Sequence, residues 1–327
     1  MPVVEFPLED ISRLFPDYDL SYLIDTLPFI GLDLEYRDDK SIRLEYSPNR
    51  PDFSTFYGIA RALSGLLGKE LGIPKFQVIE KKKNIITVDT SVSNVRPFIV
   101  GIVAKNHKLN NKTIKQIVSM QEDLHNGIGR GRSKASIGFH NLENIEFPLD
   151  YTTALENLSF TPLDYNSALT LTEILHKTDT GKKFGELVNG SIYPIIKDSR
   201  NTVISLPPII NSEITRIKEG VDNLFVEVTG ADKKTVDHVL ANIIATLADI
   251  GFELENVIIK RNSNNTLSYN SEMNIILENV KLDYINKVLG LSLTSEEIVD
   301  CLRKCRLDAK VVASRSINCM IPSYRID

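Results

Sequence analysis

Apolar positions recur along this 327-residue chain with two periods, and the switches between them mark its elements. Residues 8–14 (LEDISRL) and 18–26 space their apolar side chains as short helices. Residues 32–46 alternate around a charged turn at 37–40, which predicts a hairpin. After the polar stretch SPNRPD, Ile59, Leu63, Leu66 and Leu67 recur at helical spacing, with Asp52 or Ser54 as the expected N-cap. Alternation returns at 86–88 and 97–104, a helical pattern covers 111–124, and 135–140 alternate again. Residues 225–229 (FVEVT) read as a half-buried strand: Phe225, Glu227 and Thr229 share one face, Val226 and Val228 the other. Gly230, Ala231 and Asp232 break it. Val236, Val239, Leu240, Ile243, Ile244 and Leu247 then trace a helix, with Asp232 as its N-cap and Gly251 as its stop. Thr294 and Glu297 form a capping box for a helix carrying Ile298, Leu302 and Cys305, and two strands follow at 309–313 and 317–321.

These elements imply a multidomain α+β chain. A small α+β domain is expected at 1–84, ending in a connector (74–84) that carries Lys81, Lys82 and Lys83. A mixed α/β domain is expected at 85–262 and a third unit at 271–327, joined by the polar stretch RNSNNTLSYN at 261–270.

Composition narrows the function classes. The apolar fraction of 42% and charged fraction of 25% are those of a globular chain, and no apolar run is long enough to span a membrane. The acidic start MPVVEFPLED lacks a signal-peptide pattern. Cys301, Cys305 and Cys319 give no disulfide framework and read as small buried hydrophobes in a cytoplasmic protein. A net charge of −5 argues against a surface made throughout to coat nucleic acid, so an RNA partner would be met by local basic patches.

Candidate chemistry gathers in residues 193–251. The apolar SLPPIINS (205–212) has two consecutive prolines with fixed φ. The strand that follows delivers Glu227 and Thr229 on one face just ahead of a helix N-terminus, whose free amides favour negative charge. That pairing builds a polar pocket or, equally in keeping with the pattern, the solvated face of an ordinary strand. Upstream, HNGIGRGRSK (125–134) is neither GxGxxG nor a P-loop; Arg130, Arg132 and Lys134 make it a flexible basic loop able to hold phosphates, or a solvated one. His140 closes a strand and is a candidate base; His176 reads as structural.

Four blocks in order resemble one family across nearly the whole chain. SPNRPDFSTFYGIARAL (47–63), KASIGFH (134–140), SLPPIINS with EVTGAD downstream, and IPSYRID (321–327) are similar to the archaeal and eukaryotic type of phenylalanine–tRNA ligase β subunit. The resemblance implies that the chain is an N-terminal fragment whose central domain edits, hydrolysing tyrosine wrongly attached to tRNA(Phe), and whose third unit begins a winged-helix-like domain. It implies catalytic roles for Glu227, Thr229 and His140. Ser205, Leu206, Pro207, Pro208, Ile209, Asn211 and Ser212 would bind substrate, with Glu227 taking the tyrosine hydroxyl or the ammonium and amides near 230–232 assisting. Arg130, Arg132 and Lys134 would contact RNA. An α subunit (in an α2β2 heterotetramer) and tRNA(Phe) are the implied partners; ATP and Mg2+ serve the complete enzyme, and editing needs neither. Asp327 resembles a magnesium ligand, but one carboxylate holds Mg2+ poorly, so no bound metal is expected here. A non-catalytic, tRNA-binding scaffold of the same ligase is the alternative.

Overall fold

The computed structural model describes residues 1–188, 192–261, 266–269, 275–313 and 315–327. The chain folds as two compact units. One is continuous, Gln77–Glu272; the other joins Met1–Phe76 to Met273–Asp327. The two end segments, read from sequence as separate domains, therefore belong to one unit. Helix Phe56–Leu66 packs on helix Ser295–Lys304. Gly72 donates its amide to the Arg303 carbonyl, and Arg306 pairs with Glu70. Periodicity assigns each element its apolar face but not the surface that will cover it.

In this unit the predicted hairpin is present as Leu32–Arg37 and Ser41–Tyr46, and Val3–Pro7 adds a third strand. Phe6, Ile11, Leu23, Phe53 and Ile59 fill the core beneath it. The Phe56–Leu66 helix is capped by Thr55, whose hydroxyl accepts from the Gly58 amide, and not by Asp52 or Ser54. Asp52 is held instead by the Arg50 fork at 2.9 and 2.8 Å. At the other end of the chain, Thr294 and Glu297 form the expected capping box, and Ile275–Lys281 and Asp308–Ala313 flank Ser316–Pro322. Cys319 is buried, whereas Cys301 and Cys305 are exposed, on the solvent side of their helix and at its cap, contrary to the expectation of burial.

The second unit stacks two sheets and a helix. One sheet runs Val78–Ile79, Glu253–Asn256, Phe98–Lys105, Leu224–Gly230, Ala135–Asn141. The parallel pairing of Val78–Ile79 with Leu254 and Glu255 draws the expected connector into this unit. Among the described residues, the other sheet runs Ile210–Asn211, Val203–Leu206, Ile192–Lys197, Leu149–Leu155, Ile85–Val88, Ile258–Arg261, Thr266–Tyr269. Its last strand lies in the expected linker; residues 262–265 and 270 of that linker fall outside the described residues. The sheets meet through Ile99, Val103 and Phe225 from one and Ile86, Tyr151, Ile196 and Ile259 from the other. Val226 and Val228 point to the opposite face, where helix Lys233–Ile250 lies, capped by Asp232 and ended by Gly251 at φ 111° as the sequence requires. Leu224–Gly230 is therefore buried on both faces, not half-buried, because its second face is roofed by the other sheet.

Candidate functional site

Between the sheets at their Glu227 end lies a cavity of about 100 Å³. A single water needs roughly 10–15 Å³ on the same measure, so a small side chain fits. The hairpin from Val203–Leu206 to Ile210–Asn211 forms one wall, with Leu206, Pro207, Pro208 and Ile209 at its turn. Ser205 and Asn211, Cα partners across that hairpin, bring polar atoms to the cavity's inner end. Glu227 enters from the opposite sheet, and Gln121, Arg132, Ser136, Ile137, Leu163, Thr180 and Ile210 complete the lining.

Glu227 is 2% exposed. Its Oε1 accepts from the Ser205 hydroxyl at 3.2 Å, and its Oε2 has no partner among the described residues. Burial raises this carboxyl from its ordinary 4.5 to about 7, against the Ser205 hydrogen bond and the Arg96 charge, which pull it down. Near neutral pH the group is thus a mixture of acid and carboxylate.

The expected site residues divide. Ser205, Leu206, Pro207, Pro208, Ile209, Asn211 and Glu227 surround the one cavity. Thr229 does not: its hydroxyl accepts from Arg96 Nε at 2.9 Å and contacts Ser136 Oγ at 3.1 Å. Ser212 turns away and donates to the Thr161 carbonyl. The Ala231 and Asp232 amides donate to the Lys134 carbonyl and Gly230 sits in the ladder opposite Ala135, so the amides expected to assist are engaged by the protein's own backbone. His140 is fully buried, its Nδ1 2.8 Å from Thr215 Oγ1, and it does not line the cavity. Burial lowers it to about 3, so the ring is neutral.

Arg132 is not a free phosphate contact. Its Nη1 donates to the carbonyls of Pro208 and Ile209 at 3.2 and 3.1 Å, Nη2 meets Glu122, and the guanidinium lies 4.2 Å from the Phe184 ring centre. Arg130, Gly131 and Arg132 adopt left-handed φ angles of 52°, 60° and 69°. Two non-glycine residues hold that conformation only where the surroundings dictate it, and the Arg132 clasp does so. The expected flexible loop is a brace on the twin-proline turn. Arg130 and Lys134 remain exposed.

The sequence reading missed Arg96, which binds Thr229, Ser136 and the Arg132 carbonyl from beneath the site. Nothing in VRPF marks it. Gly138 was within a block already singled out, yet its role is visible only in three dimensions: a β-carbon there would meet Glu227 Oε1 and His140 Nε2 at 2.6 Å each.

With this geometry in place, known proteins supply the lineage. A family model described as "tRNA synthetase B5 domain" matches residues 278–327. The phenylalanine–tRNA ligase beta subunit of Archaeoglobus fulgidus is 39% identical over all of this chain and 59% of its own length; that of Methanosphaera stadtmanae is 36% identical over the same shares. A crystal structure of an N-terminal fragment of the phenylalanyl-tRNA synthetase beta subunit from Pyrococcus horikoshii superposes with a TM-score of 0.92 at 28% identity, covering all of this chain and 95% of that one. The chain belongs to the phenylalanine–tRNA ligase β-subunit family. It spans about three-fifths of the length of the curated β subunits it matches.

Asp327, matched to a magnesium ligand by resemblance, has both oxygens 2.6 Å from Arg325 nitrogens. Among the described residues no three His, Cys, Asp or Glu side chains cluster to hold a metal. A carboxylate clasped by a guanidinium, without companions, does not fit Mg2+.

Proposed function

We propose that the central unit of this β-subunit chain hydrolyses tyrosine from mischarged tRNA(Phe), in a cytoplasmic ligase completed by an α subunit as an α2β2 heterotetramer. ATP and Mg2+ belong to charging by that complete enzyme, and no editing step needs them. One observation carries the reading: a buried carboxyl with an unpaired oxygen faces a cavity whose other wall is apolar.

The ring of a tyrosyl group packs against Leu206, Pro207, Pro208 and Ile209, and its hydroxyl meets Glu227. Phenylalanine fits the same wall but leaves the buried carboxyl unpaired. An apolar pocket rejects an added hydroxyl by only ~10²-fold, whereas a site built to bond that hydroxyl rejects the analogue lacking it by ~10⁴–10⁵. The second arrangement suits a proofreading site. Water attacks the ester carbonyl, and the bond to the ribose oxygen breaks. Ser205, whose hydroxyl donates to Glu227 Oε1 at 3.2 Å, acts in this reading as a partner of the carboxyl and not as a nucleophile. With the 231 and 232 amides engaged, the vicinal ribose hydroxyl is left to assist. Arg130 and Lys134 are the exposed cations that would meet the RNA backbone.

The test is deacylation of Tyr-tRNA(Phe) and Phe-tRNA(Phe). The wild type should hydrolyse the first selectively, Glu227→Ala should lose that activity with the fold intact, and Glu227→Gln should keep part of it. Equal rates for wild type and Glu227→Ala, or binding of Tyr-tRNA(Phe) without hydrolysis, would refute the reading and leave a scaffold.

A further inference from the structure

Among the described residues three buried polar atoms near the cavity have no partner, Glu227 Oε2, His140 Nε2 and Arg132 Nε, and the first two stand on adjoining strands. Buried polar atoms are rarely left so, which makes the pair informative. Glu227 Oε1, His140 Nε2 and Asn211 Oδ1 lie 2.6, 2.6 and 3.0 Å from the point where a β-carbon on residue 138 would stand. They come from three different strands and converge only because residue 138 is glycine. No hydrogen bond joins Glu227 to His140, yet each is 2.6 Å from that common point. Two atoms each 2.6 Å from one point are at most about 5.2 Å apart, within the span of one bridging water.

Proton counting sets the direction. The Asn211 amide nitrogen donates to the Phe139 carbonyl, so its oxygen faces this niche as an acceptor. Thr215 donates its hydroxyl proton to the Ser212 carbonyl, so His140 Nδ1–H donates to Thr215 and Nε2 is bare. Ser205 has one proton to offer and two acceptors beside it, Asn211 Oδ1 and Glu227 Oε1. Acceptors outnumber protons unless Glu227 carries one.

We propose that His140 is a positioning residue for Glu227: a water above Gly138 accepts the Glu227 Oε1 proton and donates to His140 Nε2 and Asn211 Oδ1, which locks the carboxyl with Oε2 facing the cavity. The water's two protons and the acid's one account for every acceptor in the niche. Oε2 is then a fixed carbonyl-type acceptor, suited to a substrate hydroxyl. The other charged or titratable groups felt at Glu227 are the Arg96 guanidinium, which favours the carboxylate, and the Tyr151 phenol, which donates to the Arg96 carbonyl. Neither reaches the niche. The proposal rests on the editing reading only for the identity of the hydroxyl; the proton arrangement stands apart from it.

The experiment is nitrogen NMR of the imidazole-labelled chain from pH 5 to 9. His140 Nε2 should be unprotonated throughout, its resonance should move with a midpoint near 7 as Glu227 ionises, and Glu227→Gln should abolish that movement. A protonated Nε2, or a flat wild-type resonance, overturns the proposal whether or not the chain deacylates anything. In the deacylation assay, His140→Gln keeps an acceptor and should hold the preference for Tyr-tRNA, while His140→Phe keeps the ring and should lose about five- to tenfold of it, the worth of one neutral hydrogen bond. Equal preference in the two variants also overturns it.

Discussion

Glu227 and His140 oppose each other in their response to pH. The folded Glu227 carboxyl keeps its proton to about 7, while the unfolded one releases it near 4.5. The unfolded chain binds fewer protons in that window, so this residue lowers stability as pH rises through it. His140 stays neutral in the fold down to about 3, while the unfolded ring charges near 6.5. It lowers stability as pH falls through that window. Between about 4.5 and 6.5 the two slopes largely cancel. Glu227→Gln should therefore expose the histidine slope, and its stability relative to wild type should fall by roughly 2 kcal/mol on going from pH 6.5 to 4.5. His140→Gln should show the reverse slope over the same window. Urea midpoints measured at both pH values check this. A third residue, Arg132, ties the twin-proline turn to Glu122 and Phe184. Arg132→Ala strands two carbonyls and should cost roughly 2–3 kcal/mol, with weaker discrimination between Tyr-tRNA and Phe-tRNA.

Among the elements, the Leu224–Gly230 strand and the helix after it are where sequence reasoning was strongest and also where it misled. Asp232, the hydrophobic stripe and Gly251 specify the helix through local chemistry, and its cap bond to the Thr235 amide is present. The expectation that the amides near 230–232 serve substrate fails because the Lys134 carbonyl, from the turn just before strand Ala135–Asn141 and nearly a hundred residues earlier, takes the Ala231 and Asp232 amides. Asp232→Ala should cost about 1 kcal/mol of stability, the usual worth of an N-cap. It should leave deacylation unchanged, and parallel melting and deacylation measurements check both halves. Thr229 has a similar history: the pattern put it beside Glu227 on one strand face, and Arg96 then claimed its hydroxyl.

Across the whole molecule, the division into a continuous unit and one made from both chain ends has a measurable consequence. Gln77–Glu272 closes its own cores, so it should unfold cooperatively when expressed alone and keep the proposed deacylation. Residues 1–76 alone would expose the face of helix Phe56–Leu66 that meets Ser295–Lys304. Adding residues 273–327 in trans should raise their melting temperature, which calorimetry would register. From the sequence alone came the hairpin at 32–46, the helices capped by Asp232 and Thr294, the strand bearing Glu227 and the apolar twin-proline segment, because each depends on neighbours within a few residues. Tertiary structure alone decided that Ser205, Asn211 and Glu227 share a cavity, that Arg132 braces rather than reaches outward, and that Gly138 leaves room for His140 to act on Glu227. Those outcomes depend on which faces of distant strands are pressed together, and a periodic pattern carries no record of its partner.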